Sequence, residues 1–179
     1  MLRFLALLLT QLILWNLGIG LNNAVSGWNL SLFTQGLFVL VPAFFLSPKE
    51  GLLACLLAGC LVDASLPVHF GREAILFAIL FTFMLRQRPR LPLHEPLVQS
   101  AVAVILNLIL YGCQLALEAR RITFLSEMVW RIVWELLLSS LLVALLAPWF
   151  CSLQRLALDW ASRPWFARDT RNPHLRDLS

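Results

Sequence analysis

Charged residues are scarce in this chain: Asp, Glu, Lys and Arg make up 13% of its 179 residues, whereas a soluble domain usually carries about 25%. Apolar residues account for 60% of the chain, and its mean hydropathy is +0.80. They fall in long runs that a small soluble core could not bury. This composition is typical of a membrane protein.

Groups that catalyse reactions or bind metals are also scarce. The chain has three histidines and four cysteines, and the cysteines show no C-x-x-C spacing. They lie in or beside apolar segments, which favours packing over a disulfide framework or a zinc site. The sequence lacks an H-E-x-x-H motif, a rhomboid-like serine and histidine pairing, and a pair of membrane carboxylates. We therefore expect a protein that is not an enzyme and that uses no cofactor or metal.

Six apolar segments are candidates for membrane-spanning helices, each of about 20 residues. We place them at about residues 4–21, 30–46, 51–66, 70–85, 97–117 and 128–150. They would use roughly 120 residues and leave about 60 for loops and tails, which excludes a separate soluble domain. The fourth apolar run is short, so this span must extend back into a polar stretch or lie in thinned or protein-lined surroundings. We predict an all-α, six-helix transmembrane bundle over residues 1–150.

The distribution of Lys and Arg predicts the orientation of this bundle. Two distant arginines, Arg171 and Arg176, are left out because the rule counts only residues near the spans. Eight basic residues then share the side of both termini, against three in the opposite loops: Arg3, Lys49, Arg86, Arg88, Arg90, Arg155, Arg163 and Arg168 against Arg72, Arg120 and Arg121. Both termini are therefore expected in the cytoplasm. The net charge of +4 reflects this topology and an attraction to membrane lipids, not a nucleic-acid surface.

The two terminal segments need separate interpretation. The N-terminal apolar run resembles a secretory signal peptide, but it is longer than the usual apolar region and no A-x-A-like site follows, so we expect a retained helix. After residue 150, Leu153, Leu156, Ala157 and Trp160 recur at helical spacing. We expect residues 151–179 to form an amphipathic cytoplasmic tail that begins with an interfacial helix and leaves the helix at Pro164.

Asp63 lies at the end of the third apolar segment. A carboxylate there either faces protein, water or a partner, or simply caps a helix end or starts the loop. Small residues in the same segment, Gly51, Ala54, Ala58 and Gly59, allow another helix to approach closely. The third segment is therefore predicted to pack against a neighbour through a surface of small side chains.

Other charged residues are predicted near the outer ends of the helices. Arg131 and Glu135 share one face of the sixth helix, where they either satisfy each other or contact another helix or a partner subunit. Two loop clusters comprise His69, Arg72 and Glu73 before the fourth helix, and Glu118, Arg120, Arg121 and Glu127 before the sixth. Both clusters are typical of solvated loops. The second could also meet an acidic surface of a partner.

The order of several distinctive residues resembles the MreD family, the rod shape-determining membrane proteins of bacteria. The resemblance is carried by Pro48, Gly51, Gly59 and Asp63, then by Gly71-Arg72-Glu73-Ala74-Ile75-Leu76-Phe77 and by the final Leu145-Leu146-Ala147-Pro148-Trp149-Phe150. It covers nearly all of residues 1–150, and its most distinctive positions are Gly59, Asp63, Gly71 and Pro148. The sequence departs from the family in the charged Arg72-Glu73 pair and in the long amphipathic tail.

The resemblance implies a non-enzymatic scaffold subunit of the cell-elongation machinery, which builds peptidoglycan at the bacterial inner membrane. MreD-like proteins associate with MreC, and through it they act with the RodA glycosyltransferase, its transpeptidase partner and MreB filaments. The candidate structural or partner-contact residues are Gly59, Asp63, Gly71, Arg72, Glu73, Arg120, Arg121, Arg131 and Glu135.

The family is also similar in fold to the substrate-binding subunits of energy-coupling-factor vitamin transporters. A subunit that binds a vitamin-like small molecule is therefore the alternative function. Two features count against it: the first helix lacks the Ala-x-x-x-Ala-like docking surface of those subunits, and the outer loops offer few hydrogen-bonding groups.

Overall fold

The computed structural model describes residues 2–28, 30–65, 70–92, 95–118 and 125–162, and these ranges contain helices and no strand. Along them run the helices α1 (Leu2–Val25), α2 (Gly36–Phe45), α3 (Pro48–Ser65), α4 (Arg72–Gln87), α5 (Pro96–Glu118) and α6 (Leu125–Ser162). Short 3-10 helices, Ser26–Trp28 and Arg88–Arg90, follow α1 and α4. The prediction of an all-α protein is confirmed for the described residues.

Three segments are long and apolar enough to cross a membrane: Phe4–Trp28, Pro96–Glu118 and Val129–Ala161. They indicate a membrane protein. The other three helices are shorter, with 10 residues in α2, 18 in α3 and 16 in α4. At 1.5 Å per residue α2 extends only about 15 Å, which is half of a hydrocarbon core of roughly 30 Å.

The outer face of α6 is more apolar than its inner face. Glu135 and Ser139 are buried within the bundle, whereas Leu137, Leu141 and Leu145 are each more than half exposed. A helix on the surface of a soluble protein has the opposite arrangement, with polar residues outside and apolar residues inside. The exposed leucines therefore suit contact with lipid.

The short helix α2 lies at the centre of the bundle. Nine of its ten residues are buried, and it packs against α3, α4, α5 and α6. The predicted helix over residues 30–46 is therefore too long, because residues 30–34 are not helical. Side chains of other helices bind the backbone of residues 30–34 in place of helical hydrogen bonds. A non-helical chain can be buried inside a bundle when its polar groups are satisfied in this way.

Pro42 interrupts the hydrogen bonding of α2. Because proline has no N–H, the carbonyl oxygen of Phe38, four residues earlier, lacks its helical donor. The side-chain amide of Gln11 in α1 donates to this oxygen with an Nε2–O distance of 3.1 Å. Gln11 is only 1% exposed, so solvent could not make this bond in its place. A side chain of α1 thus supplies the hydrogen bond that the α2 backbone lacks.

Pro148 in α6 receives the same kind of compensation. The proline leaves the carbonyl oxygen of Ala144 without its helical donor. The hydroxyl of Ser100 in α5 donates to that oxygen at 3.0 Å. This bond holds α5 against α6 at the point where the helix would otherwise carry an unsatisfied carbonyl.

The helix predicted after residue 150 is the continuation of α6 and not a separate element. Helix α6 runs continuously for 38 residues to Ser162, and its last part packs along α1. Cys151, Gln154 and Leu158 are buried, and the Gln154 amide donates to the Thr10 hydroxyl at 3.1 Å. These contacts extend the bundle beyond residue 150. The remainder of the predicted tail, residues 163–179, lies outside the described residues.

The two ends of the bundle differ in their chemistry. At one end Arg88 Nη1 donates to the Leu46 carbonyl at 3.3 Å, and the Arg155 guanidinium lies 4.7 Å from the centre of the Phe45 ring. We call this the basic end, because the last turn of α4 also carries Arg86 and the 3-10 helix after it carries Arg88 and Arg90. The opposite end joins the end of α1, the corner between α3 and α4, the end of α5 and the start of α6. We call it the cavity end.

Candidate functional site

Asp63 ties α3 to the start of α4 at the cavity end. Its Oδ2 accepts hydrogen bonds from the backbone N–H groups of Gly71 at 3.0 Å and Ala74 at 3.3 Å, and its Oδ1 accepts from that of Glu73 at 3.0 Å. The first N–H groups of a helix have no partner within the helix, so a carboxylate placed there stabilises it. Asp63 is 3% exposed. It therefore faces protein, and the helix end that it caps belongs to the next helix along the chain.

Two glycines allow this corner to form. Gly71 has φ +96°, a left-handed conformation that favours glycine. A Cβ atom on Gly59 would overlap the Cα of Ala74 and would lie 2.6 Å from its nitrogen. Because Gly59 has no side chain, α3 and α4 come close enough for Asp63 to reach the α4 backbone. The small-residue packing predicted for the third segment is confirmed, since Gly51, Ala54, Ala58 and Gly59 are all buried.

Glu73 is buried and helical, so the prediction of a solvated loop at this position is wrong. It is the second residue of α4 and is 0% exposed. Arg72 Nε lies 3.4 Å from its Oε1, and Arg72 Nη2 lies 3.4 Å from Oε1 of Glu118 at the end of α5. The other carboxylate oxygen of Glu73 has no hydrogen-bond partner among the described residues. Arg72 thus connects α4 to α5.

Glu135 is bound from three directions. Arg131 Nε donates to its Oε1 at 2.9 Å, the backbone N–H of Ser31 donates to the same oxygen at 3.2 Å, and the Tyr111 hydroxyl donates to its Oε2 at 3.1 Å. The two interpretations left open for the Arg131 and Glu135 pair therefore both hold within this chain. The residues pair with each other, and Glu135 also reaches α5 and the segment before α2.

The non-helical segment before α2 is held by side chains from three helices. Asn22 of α1 accepts from the Leu32 N–H at 2.6 Å and donates to the Leu32 carbonyl at 3.0 Å. Ser139 of α6 accepts from the Phe33 N–H at 2.9 Å. Asn107 of α5 donates to the Phe33 carbonyl at 2.8 Å and accepts from the N–H of Gly36, the first residue of α2, at 3.1 Å. The backbone polar groups of this segment are thus satisfied without a helix.

A cavity of about 390 Å³ lies against this segment. Its size falls within the range of about 300–1,000 Å³ that is usual for small-molecule sites. Helices α1, α5 and α6 form its walls and residues 31–35 form one side. It is lined by Leu14, Trp15, Gly18, Ile19, Asn22, Ser31, Leu32, Phe33, Thr34, Gln35, Tyr111, Gln114, Leu115, Glu118, Arg131, Ile132 and Glu135.

The structure brings some predicted residues together and leaves others apart. Gly59, Asp63, Gly71, Arg72 and Glu73 meet at the corner of α3 and α4. Arg131 and Glu135 lie at the cavity, which Glu118 joins to the corner through its contact with Arg72. His69, Arg120 and Arg121 lie outside the described residues, as does the side chain of Glu127.

Sequence reasoning missed the uncharged polar residues of the cavity end. Asn22, Gln35, Asn107 and Tyr111 each lie inside or beside an apolar segment, where a polar side chain usually binds a group of another helix. This signal was present, but the partner is unpredictable, because Asn107 binds residues 71 and 74 positions away in the chain.

The polar side chains described at these sites make hydrogen bonds and ion pairs within the chain. Among the described residues no group of three or more His, Cys, Asp or Glu side chains is close enough to hold a metal ion. The carboxylates of Asp63 and Glu135 already accept bonds from backbone and side-chain donors of this chain. Comparison of the chain with models of protein families, with curated proteins and with solved structures finds no match.

Proposed function

We propose that the protein is a non-enzymatic scaffold subunit of the MreD type. In this proposal it is a six-span protein of the bacterial inner membrane with both termini in the cytoplasm. It binds an MreC-like protein and thereby supports the elongation complex, with its RodA glycosyltransferase, its transpeptidase and MreB. Helices α3 and α4, and α2 together with the non-helical segment before it, then cross the membrane as a compact core between the longer helices.

One observation carries this proposal: the residues that resemble the family act together. Gly59, Asp63 and Gly71 are three of the four most distinctive resemblance positions, and all three build the corner between α3 and α4. Gly59 permits the close approach, Gly71 supplies the left-handed turn, and Asp63 joins the two helices. A rigid corner of this kind gives a partner protein a fixed surface.

The roles of the buried polar residues support a scaffold rather than an enzyme. Gln11 and Ser100 bind carbonyl oxygens that prolines leave free, and Asn22, Asn107 and Ser139 bind the segment before α2. Each of these bonds joins different elements of the bundle. The polar side chains therefore contribute to architecture, as a subunit that works through its shape requires.

The orientation in the proposal is supported by the basic end. Lys49, Arg86, Arg88, Arg90 and Arg155 all belong to the ends of helices that meet there. Lys and Arg favour the cytoplasmic side of a membrane. The cavity end then faces the periplasm, where the large part of an MreC-like partner lies.

The test is co-purification from membranes. A tagged protein is expected to bring down an MreC-like protein or another protein of wall synthesis. Asp63→Leu is expected to weaken this association and cell shape more than Arg171→Ala does, because Asp63 holds the corner. Recovery of no such partner, or equal and negligible effects of both substitutions, would contradict the scaffold proposal.

The cavity favours a second candidate function, a small-molecule-binding subunit of the energy-coupling-factor type. A site of about 390 Å³ with aromatic, amide and charged side chains has the size and the lining of a ligand site. The test is mass spectrometry of small molecules released by denaturing protein that was purified in detergent. This candidate requires a bound molecule in stoichiometric amount, and a sample without one would count against it.

A further inference from the structure

The cavity has a polar floor with open hydrogen-bonding groups. Thr34 and Gln35 both line it and are each 8% exposed. The Gln114 Nε2 donates to the Gln35 Oε1 at 3.1 Å, which fixes both amides. No described residue binds the Nε2 group of Gln35 or the Thr34 hydroxyl, and both residues line the cavity. These groups therefore suit an occupant that supplies hydrogen-bond partners.

The two amides define the edge that such an occupant needs. With Gln114 Nε2 bound to Gln35 Oε1, the Gln35 NH₂ group and the Gln114 carbonyl oxygen stay available. A primary amide or a ring lactam presents the complementary acceptor and donor side by side.

The charges at the cavity offer little net attraction to an ion. Glu135 is paired with Arg131 at 2.9 Å, and Glu118 is paired with Arg72 at 3.4 Å. These two carboxylates and Arg131 are the charged residues among the described lining. A charged ligand would lose its hydration without gaining an unpaired opposite charge. The pairing therefore favours a neutral molecule.

The walls add a preference for a flat ring. Trp15 of α1 and Phe33 both line the cavity, and the Phe33 ring makes an edge contact with the Tyr111 ring at 5.6 Å between centroids. Aromatic side chains at such distances favour stacked or edge-on contact with another ring. Leucine and isoleucine side chains complete the apolar lining.

We propose that this cavity binds an uncharged, planar molecule with an amide-type edge, which lies on Gln35 and Gln114 between the aromatic walls. The proposal rests on the second candidate function, since it requires the cavity to be a ligand site, and it adds the chemical class. It is compatible with the scaffold function, because the corner at Asp63 and the cavity use different residues.

The test uses three probes of similar shape: naphthamide, naphthoate and methylnaphthalene. Equilibrium dialysis against the full chain in detergent micelles is expected to give saturable binding of naphthamide, at least about tenfold tighter than that of naphthoate. Methylnaphthalene lacks the amide edge and is expected to partition into micelles without saturation. Equal binding of naphthoate or saturable binding of methylnaphthalene would overturn the proposed ligand class.

Two substitutions locate the binding. Gln35→Leu removes the edge and is expected to weaken naphthamide binding at least about tenfold. Thr34→Val changes only the hydroxyl and keeps a binding measurement available if Gln35→Leu does not fold. Asn16→Leu is the matched control, because Asn16 is an exposed amide of α1 that donates to its own helix, at the Leu12 carbonyl. The proposal fails if neither floor substitution weakens binding, or if Asn16→Leu weakens it equally.

The outcomes for the ligand class and for the second candidate function can be told apart. A stoichiometric anionic molecule released from the purified protein would keep the small-molecule function and overturn the neutral class. Absence of saturable naphthamide binding below about 1 mM would also overturn the class. Absence of any released molecule together with saturable naphthamide binding would contradict the second candidate function and support the ligand class.

Discussion

The bond between Gln11 and the Phe38 carbonyl leads to a sharp prediction about α2. Gln11→Leu removes the donor and leaves a buried carbonyl that Pro42 has already deprived of its helical partner. An unsatisfied buried group costs about 1–3 kcal/mol. We expect loss of this bond to cost about 2 kcal/mol of the free energy of unfolding, which is about a 30-fold change in the unfolding equilibrium. In the single variant part of this cost is offset, because Gln11→Leu also removes the buried, unpartnered Oε1 of Gln11.

The same substitution is expected to cost much less when Pro42 is replaced by alanine. An alanine at this position has an N–H that can donate to the Phe38 carbonyl, so the Gln11 amide is no longer needed. The double-mutant cycle is expected to give a coupling energy of about 1–2 kcal/mol. The free Oε1 of Gln11 contributes equally in both backgrounds and cancels from the cycle.

Equilibrium unfolding by denaturing detergent, followed by circular dichroism, measures the four variants. Each must first show one symmetric peak in size-exclusion chromatography, so that the cycle compares folded proteins. A cost of Gln11→Leu that is the same with proline and with alanine at position 42 would refute the reasoning, because the side chain would then stabilise α1 and α2 by packing alone.

Three further predictions concern the other joints of the bundle. Ser100→Ala is expected to lower the free energy of unfolding by about 1 kcal/mol, and by less in a Pro148→Ala background, in the same unfolding assay; equal losses would contradict it. Gly59→Ala places a methyl group against the α4 backbone and is expected to lower the midpoint of thermal unfolding by several degrees; an unchanged midpoint would show that α3 and α4 separate without cost. Asp63→Asn keeps the size of the side chain but leaves only one oxygen to accept the three backbone hydrogen bonds that two oxygens accept now. The free energy of unfolding is therefore expected to fall by about 2 kcal/mol, and wild-type stability would contradict the capping role.

The long helices were predictable because their signal is local. The apolar runs around residues 4–21, 97–117 and 128–150 correspond to α1, α5 and the first part of α6. In lipid, apolar residues are favourable on every outward face of a helix, so the composition of a single segment is enough to identify these long helices. Asp63 also stood out in the sequence, since a carboxylate at the end of an apolar segment needs a partner.

The errors arose where neighbouring helices decide the structure. The segment before α2 reads as apolar helix, but Asn22, Asn107 and Ser139 bind its backbone and make a helix unnecessary. Glu73 reads as a loop residue, but Arg72 and the close approach of α3 allow it to be buried. No pattern within either segment contains that information.

The side-chain bonds to the segment before α2 also set the timing of biogenesis. The Ser31 N–H gains its acceptor only when Glu135 has been synthesised, 104 residues later. The Phe33 N–H gains its acceptor with Ser139, 106 residues later. At a synthesis rate of about 5–20 residues per second this delay is roughly 5–20 s. Bare N–H groups are costly in lipid, so this segment can be buried at low cost only after the last helix has been synthesised. The segment before α2 therefore completes its hydrogen bonds only when α6, the last helix in the chain, has been synthesised.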